Sequence, residues 1–152
     1  LSFRSARRFA TATWSGASAT SSAAASSEAV AKRSFGLFAR QRMGKLRVTR
    51  KSDGVLVGRC GFGVYGPEEV PEIGYSLYPE HWGNGYAFEA ASALRDWYFR
   101  DTDRPFFLGM ADVRNESSLK VLRRIGMTPT HVGDSEDGHH VQFFIYHRPA
   151  TA

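Results

Sequence analysis

A chain of 152 residues, 42% apolar and 23% charged, has room for one packed domain and the ordinary balance of a globular protein. No window comes near the roughly 20 consecutive apolar residues of a membrane-spanning helix. A single cysteine, Cys60, excludes an internal disulfide and a multi-cysteine zinc site. Its place in an apolar run marks it as a buried, inert thiol. The net charge of +5 is unevenly spread: residues 1–51 hold 11 of the 20 basic residues and one acid, Glu28. Such an arm can touch nucleic acid or membrane, but these basic residues are scattered among Ser and Ala. Neither partner is expected.

In chain order, residues 1–28 come first, rich in Ser, Ala and Arg. Their composition matches an organelle transit peptide, and the competing reading makes them part of the domain, ahead of a helix over Ala29–Arg42. The expected organisation is an atypical segment 1–28 followed by a domain over 29–152. Lys45–Arg50 alternates apolar Leu46 and Val48 with polar neighbours, which is strand periodicity. Ser52-Asp53-Gly54 supplies a hairpin turn, and Val55–Val64 is the returning strand. Gly66-Pro67-Glu68-Glu69 interrupts before a further strand, Glu72–Tyr78, stopped by Pro79.

Tyr86–Phe99 carries Ala87, Ala90, Ala91, Leu94, Trp97 and Tyr98 at helical spacing, so its aromatic residues read as packing. Phe106–Val113 reads as a buried strand. Asn115 opens a second helix with Leu119, Leu122 and Ile125, and Gly126 suits its C-terminal cap. Met127–Val132 and Val141–His147 complete the set around a Gly133–His140 turn. The order β-β-β-α-β-α-β-β predicts a single mixed α/β (α+β) domain, with one mostly antiparallel sheet flanked by helices.

Two glycine patterns compete for a phosphate. Gly61-Phe-Gly-Val-Tyr-Gly66 matches the dinucleotide fingerprint literally, but Pro67, two glutamates and Pro71 follow where a helix must start. That match is accidental. Trp82-Gly83-Asn84-Gly85-Tyr86-Ala87 stands between a strand and a helix. There the small residues and the unpaired first amides can admit an anion to the positive end of the helix dipole.

Here the sequence resembles the GNAT acetyltransferases, and within them the branch of ribosomal-protein N-terminal acetyltransferases. Residues Glu72 to Ala90 are similar to that branch's central motif. Gly85 and Ala87 fill the last two fixed positions of the Gln/Arg-x-x-Gly-x-Gly/Ala pattern, and Trp82 replaces its first. Asn115-Glu-Ser-Ser118 through Gly126-Met127 resembles the family's Asn-x-x-Ser…Leu-Gly-Phe helix. The resemblance covers roughly residues 40–148, and residues 1–39 show no copy of the family's first strand.

The resemblance implies an acetyl-CoA-dependent N-acetyltransferase acting on a primary amine, a protein N-terminus or a small molecule, in the cytoplasm and without a metal. A homodimer is left open. It implies a cleft beside the strand ending near Tyr78. Leu77 and Tyr78 would bond pantetheine there, with Trp82, Gly83, Asn84, Gly85, Tyr86 and Ala87 holding the pyrophosphate and Asn115 near the thioester. Glu72 stands at the family's frequent base position, where a carboxylate can take the amine's proton. Many members carry a tyrosine seven residues after the Asn to protonate the thiolate. Leu122 stands there instead, and Ser118 is the nearby candidate.

Other readings remain open at this point. Asn115 is also a good helix cap, Glu72 an ordinary strand residue, and the whole a non-catalytic acyl-CoA-binding regulatory module. His81 adjoins the glycine loop, within reach of a phosphate. Asp137-Gly138-His139-His140 reads as a surface turn, since adjacent histidines on extended backbone point opposite ways.

Overall fold

The computed structural model describes residues 43–150 in full and the backbone of residues 2–4 and 10–13. The helix expected over 29–42 lies outside the described residues. Eight strands form one sheet: β1 (Ser2–Arg4), β2 (Ala10–Thr13), β3 (Lys45–Arg50), β4 (Leu56–Tyr65), β5 (Val70–Leu77), β6 (Phe106–Asp112), β7 (Thr128–Asp134) and β8 (His140–His147). Their spatial order is β1-β2-β3-β4-β5-β6-β8-β7. Every neighbouring pair is antiparallel except β5–β6. β1 and β2 extend the sheet beyond β3 with strands that the sequence pattern of residues 1–39 did not predict.

Helix α1 (Tyr86–Asp101) joins β5 to β6, and α2 (Glu116–Arg124) follows β6. The apolar spacing of α1 buries Tyr86, Ala90, Ala91, Leu94, Trp97 and Tyr98. Tyr98 stacks its ring 4.6 Å from Phe62 of β4 and 5.2 Å from Phe107 of β6, and its buried hydroxyl donates to Phe106 O at 2.9 Å. On α2, Leu122 packs over Gly109, where an added Cβ would come within 3.0 Å of it. Phe107 and Gly109 are two residues apart on β6, so both helices cover the same face of the sheet. The opposite face carries Lys45, Gly61, Gly63, Glu72 and Gly74, which the register brings together.

That register explains the rejected glycine fingerprint. Gly61 and Gly63 lie inside β4, and a side chain at Gly61 would strike Gly44 O and the Lys45 backbone. Gly61 answers to close strand approach, and Gly63 leaves room for the ends of the Lys45 and Glu72 side chains; neither opens a helix that could hold a phosphate. Cys60 is fully buried among core residues, and burial pushes its thiol up to about 12. It stays protonated and inert.

The sheet is interrupted at one place. Parallel pairing of β5 with β6 comprises Glu72↔Leu108 and Ile73↔Gly109. Beyond Ile73, residues 74–77 of β5 remain paired to β4, and β6 remains paired to β8 through Asp112. The two strands therefore part like the arms of a V, with α1 and α2 starting at its mouth.

Candidate functional site

A cavity of about 650 Å³ occupies the mouth of this V. Its walls are the end of β5, the loop 82–87, the first turns of α1 and one face of α2. Leu77, Trp82, Gly83, Gly85, Tyr86, Ala87, Asn115 and Ser118 all line it, as the sequence suggested. Tyr78, Asn84 and Glu72 stand outside its lining. The Asn84 side chain braces the loop, donating to the carbonyls of His81 and Trp82 at 3.1 and 3.0 Å.

The loop is shaped by its glycines. Gly83 and Gly85 have φ of 76° and 80°, and a Cβ at either would meet nothing within 4 Å. Left-handed backbone explains the residue type, and the open space above leaves room for a ligand. Gly85 is the N-cap of α1 and offers no side-chain acceptor, so the first amides keep their hydrogen-bonding capacity for an anion. Tyr86 turns its side chain into the core and is 5% exposed, which leaves its backbone to face the loop. Across the cavity α2 presents Lys120, Arg123 and Arg124. The Arg124 guanidinium sits 4.2 Å from the centre of the Phe88 ring. Cations facing an uncapped helix start fit a polyanionic phosphate ligand.

Backbone on the β5 arm is directional. Tyr78 N–H donates to Val57 O of β4 at 3.0 Å and is occupied there. Strand alternation then turns the amides of Tyr75 and Leu77 toward the gap. Consistently, Leu77 O accepts the Trp82 indole N–H at 3.0 Å. Of the backbone groups expected to bond pantetheine around Leu77 and Tyr78, the Tyr78 amide is already bonded to β4, whereas the amides of Tyr75 and Leu77 face the gap.

The structure also supplies a residue that motif matching overlooked. Tyr75 reaches across the V to the start of α2. Its hydroxyl donates to Ser118 O at 3.0 Å and accepts from Ser118 Oγ at 3.1 Å. Burial pushes the phenol up to about 12, so it is protonated at neutral pH. Leu122, at the position where a tyrosine was sought, is 1% exposed in the core. The signal for Tyr75 lay in the β5 motif itself, in the residue after Gly74. Asn115 Oδ1 meanwhile accepts Ser118 N–H at 3.1 Å, capping α2 while lining the cavity.

Glu72 sits three residues before Tyr75, roughly 10 Å along the strand, and so on the other face. Burial raises its carboxyl above the ordinary carboxylate value, and the nearby Lys45 charge opposes that rise. The two faces of β5 thus differ, with a hydroxyl pair and the glycine loop on the helical face and, on the other, a carboxylate whose ionisation burial opposes. His81 lines the cavity beside the loop. His139 lies in the β7–β8 turn and His140 opens β8, where its Nδ1 lies 3.1 Å from Asp134 Oδ1.

The site is thus a sheet split between two strands, with a glycine loop feeding a helix at the split. Residues 2–128 match the model of the GNAT acetyltransferase domain, and the chain belongs to that family. The chain is 39% identical over 79 residues to the uncharacterized protein YkkB of Bacillus subtilis, covering 51% of this chain and 46% of that protein. It is 30% identical to an acetyltransferase structure from Agrobacterium tumefaciens, with a TM-score of 0.71 over 82% of this chain and 72% of the other. RimL, a ribosomal L7/L12 alpha-N-protein acetyltransferase solved with coenzyme A, shares the fold at a TM-score of 0.70. It is 20% identical, over 84% of this chain and 73% of RimL. The chain spans about half the length of the Bacillus relatives it matches.

Proposed function

We propose that this domain transfers the acetyl group of acetyl-CoA to a primary amine. The observation that carries the reading is the parting of β5 and β6 beyond Ile73, directly beside a left-handed glycine loop and three cations. A pantetheine arm needs an opening through the sheet, and a pyrophosphate needs amides and positive charge at its mouth. The backbone of residues 83–87 would hold the pyrophosphate, and the amides of Tyr75 and Leu77 the pantetheine.

In the transfer, the amine nitrogen forms the new C–N bond as the thioester C–S bond breaks, and the amine's proton passes to Glu72 or to a water it holds. The departing thiolate is weakly basic beside a phenol held near 12, so Tyr75 serves it by hydrogen bonding, with full proton transfer left to solvent. Rotation of either hydroxyl in the Tyr75–Ser118 pair redirects one O–H toward the cleft. A protein N-terminus is the narrower acceptor reading, supported by the shared fold with RimL and by the similarity of the β5–α1 motif to that branch.

The test is calorimetry with acetyl-CoA followed by turnover on a panel of N-terminal peptides and small amines. Binding should raise the melting temperature by mass action, and Gly85→Glu, which sets a carboxylate in the anion's space, should abolish it. No heat and no thermal shift at millimolar acetyl-CoA would refute the cleft. Binding without turnover on any amine would turn the reading to an acyl-CoA-binding module.

A further inference from the structure

We infer that Lys45 is a positioning residue for the acetyl transfer, supplying the positive charge that keeps Glu72 in its ionised, proton-accepting form. The inference rests on the reading of Glu72 as the amine's base, and it concerns the sheet face away from the two helices. There the register sets Lys45 opposite Gly61, Gly61 opposite Gly74, and Gly63 opposite Glu72. With three glycines between the two charged residues, no side chain intervenes, and the lysine stem lies flat across the sheet. Its Nζ donates to Gly61 O at 3.2 Å and fills the place that a Cβ on Gly74 would take.

Glu72 Oε1 lies 3.6 Å from that same Gly74 position. At Gly63 the two ends converge again, with Lys45 Nζ 3.9 Å and Glu72 Oε2 3.8 Å from the Cβ position. The groups act on each other through space, without a hydrogen bond between them. This spacing suits a base. An ion pair in contact would occupy the carboxylate oxygens, whereas a cation a few ångströms off favours the carboxylate and leaves its oxygens open to a proton.

Among the described residues, the other charged or titratable groups that act on this pair do not replace the lysine. Burial is the main effect lowering the Lys45 ammonium, the Glu72 charge opposes it, and Arg59 of β4 adds a smaller lowering, while the Cys60 thiol is neutral with burial holding it near 12. On β5, Tyr75 is neutral at physiological pH. At this register β6 offers Leu108 and Gly109, neither of which titrates. Arg47 of β3 stands two residues farther along the face, opposite Arg59.

The experiment titrates Glu72 directly, by carbon NMR of protein labelled at its glutamate carboxyls, with Glu72→Gln identifying the resonance. Lys45→Met keeps the stem and removes the charge, and Glu72 should then titrate about one pH unit higher, as an opposite charge at this range is worth. Lys45→Arg keeps a cation and should restore most of the wild-type midpoint. In the pH profile of kcat/KM the acid limb of Lys45→Met should move up by the same amount, its loss growing as pH falls. A Glu72 midpoint that does not move in Lys45→Met overturns the inference, as does a rate loss equal at every pH. Should Lys45→Met fail to fold, Lys45→Gln takes its place with the same expectations. A shifted midpoint in a protein that acetylates no amine would retain the coupling but overturn its catalytic use, separating this inference from the reading it rests on.

Discussion

Glu72 is held between two opposing effects: burial favours its neutral acid, and the Lys45 charge favours the carboxylate. Because burial is the larger, its folded pKa lies above the ordinary value. A base of this kind gains activity as pH rises through that elevated midpoint and loses it below. Glu72→Gln should therefore lower acetylation by about 10²–10⁴-fold at neutral pH while leaving acetyl-CoA affinity almost unchanged, since the residue lies outside the cavity lining. The deficit should shrink at high pH, where the amine is already neutral. A pH–rate series beside calorimetry checks both halves. Tyr75→Phe removes one hydroxyl while keeping the ring, and one neutral hydrogen bond is worth about 0.5–1.5 kcal/mol. Turnover should fall about two- to tenfold with KM little changed. Ser118→Ala should cost less, because Tyr75 keeps its bond to the Ser118 carbonyl.

At the scale of elements, one residue at the start of α2 both caps the helix and forms part of the cavity wall. Asn115 caps the helix through Ser118 N–H and also lines the cavity. Asn115→Ala should lower stability by about 1 kcal/mol, whereas Asn115→Asp keeps the cap and places a negative charge beside an anionic ligand. Urea melts should then separate Ala from wild type, and acetyl-CoA titration should separate Asp from both. At the far end, Gly126 has φ of 91°, and its amide bonds to Arg123 O at 2.9 Å. Much of this was legible, because caps and periodicity are local. Lys45–Arg50 alternates over six residues, α1 has a sustained apolar stripe, and Asn115 and Gly126 bracket α2. β1 and β2 were missed because three and four residues give no periodicity to read, and their assignment comes from pairing with each other and of β2 with β3. Tyr75 was missed for a related reason. A hydroxyl that crosses a gap between separate elements has no fixed sequence spacing from its partner, and the search fell on Leu122 instead. The Lys45–Glu72 approach likewise depends on register through three strands, which no single strand encodes.

Across the whole molecule, charge is sorted along β5. Its N-terminal end is entered from the turn holding Glu68 and Glu69, beside Glu136, which accepts Gly66 N–H at 3.0 Å. Its C-terminal end leads to the glycine loop, faced by Lys120, Arg123 and Arg124. Eight residues of strand separate the two poles by roughly 25 Å, well beyond the Debye length of about 8 Å at physiological salt. Each pole thus acts independently of the other. The basic pole should attract a phosphate-bearing cosubstrate, while the acidic pole, on the approach to the carboxylate face, favours a cationic amine. The three cations are exposed, so each contact is screened and contributes little alone, about 0.2–1 kcal/mol. Single substitutions Lys120→Ala and Arg123→Ala should weaken acetyl-CoA about two- to fivefold. Arg124→Ala should weaken it more, since its guanidinium is held 4.2 Å over Phe88 in the cavity wall, whereas that of Arg123 lies 5.8 Å over Phe144, a ring outside the wall. Affinity should fall as salt rises, and the triple alanine variant should lose most of that dependence. Calorimetry from low to high salt decides it: a wild-type affinity indifferent to salt, or a triple variant with an unchanged salt slope, would mean that the phosphates are held by the loop amides alone.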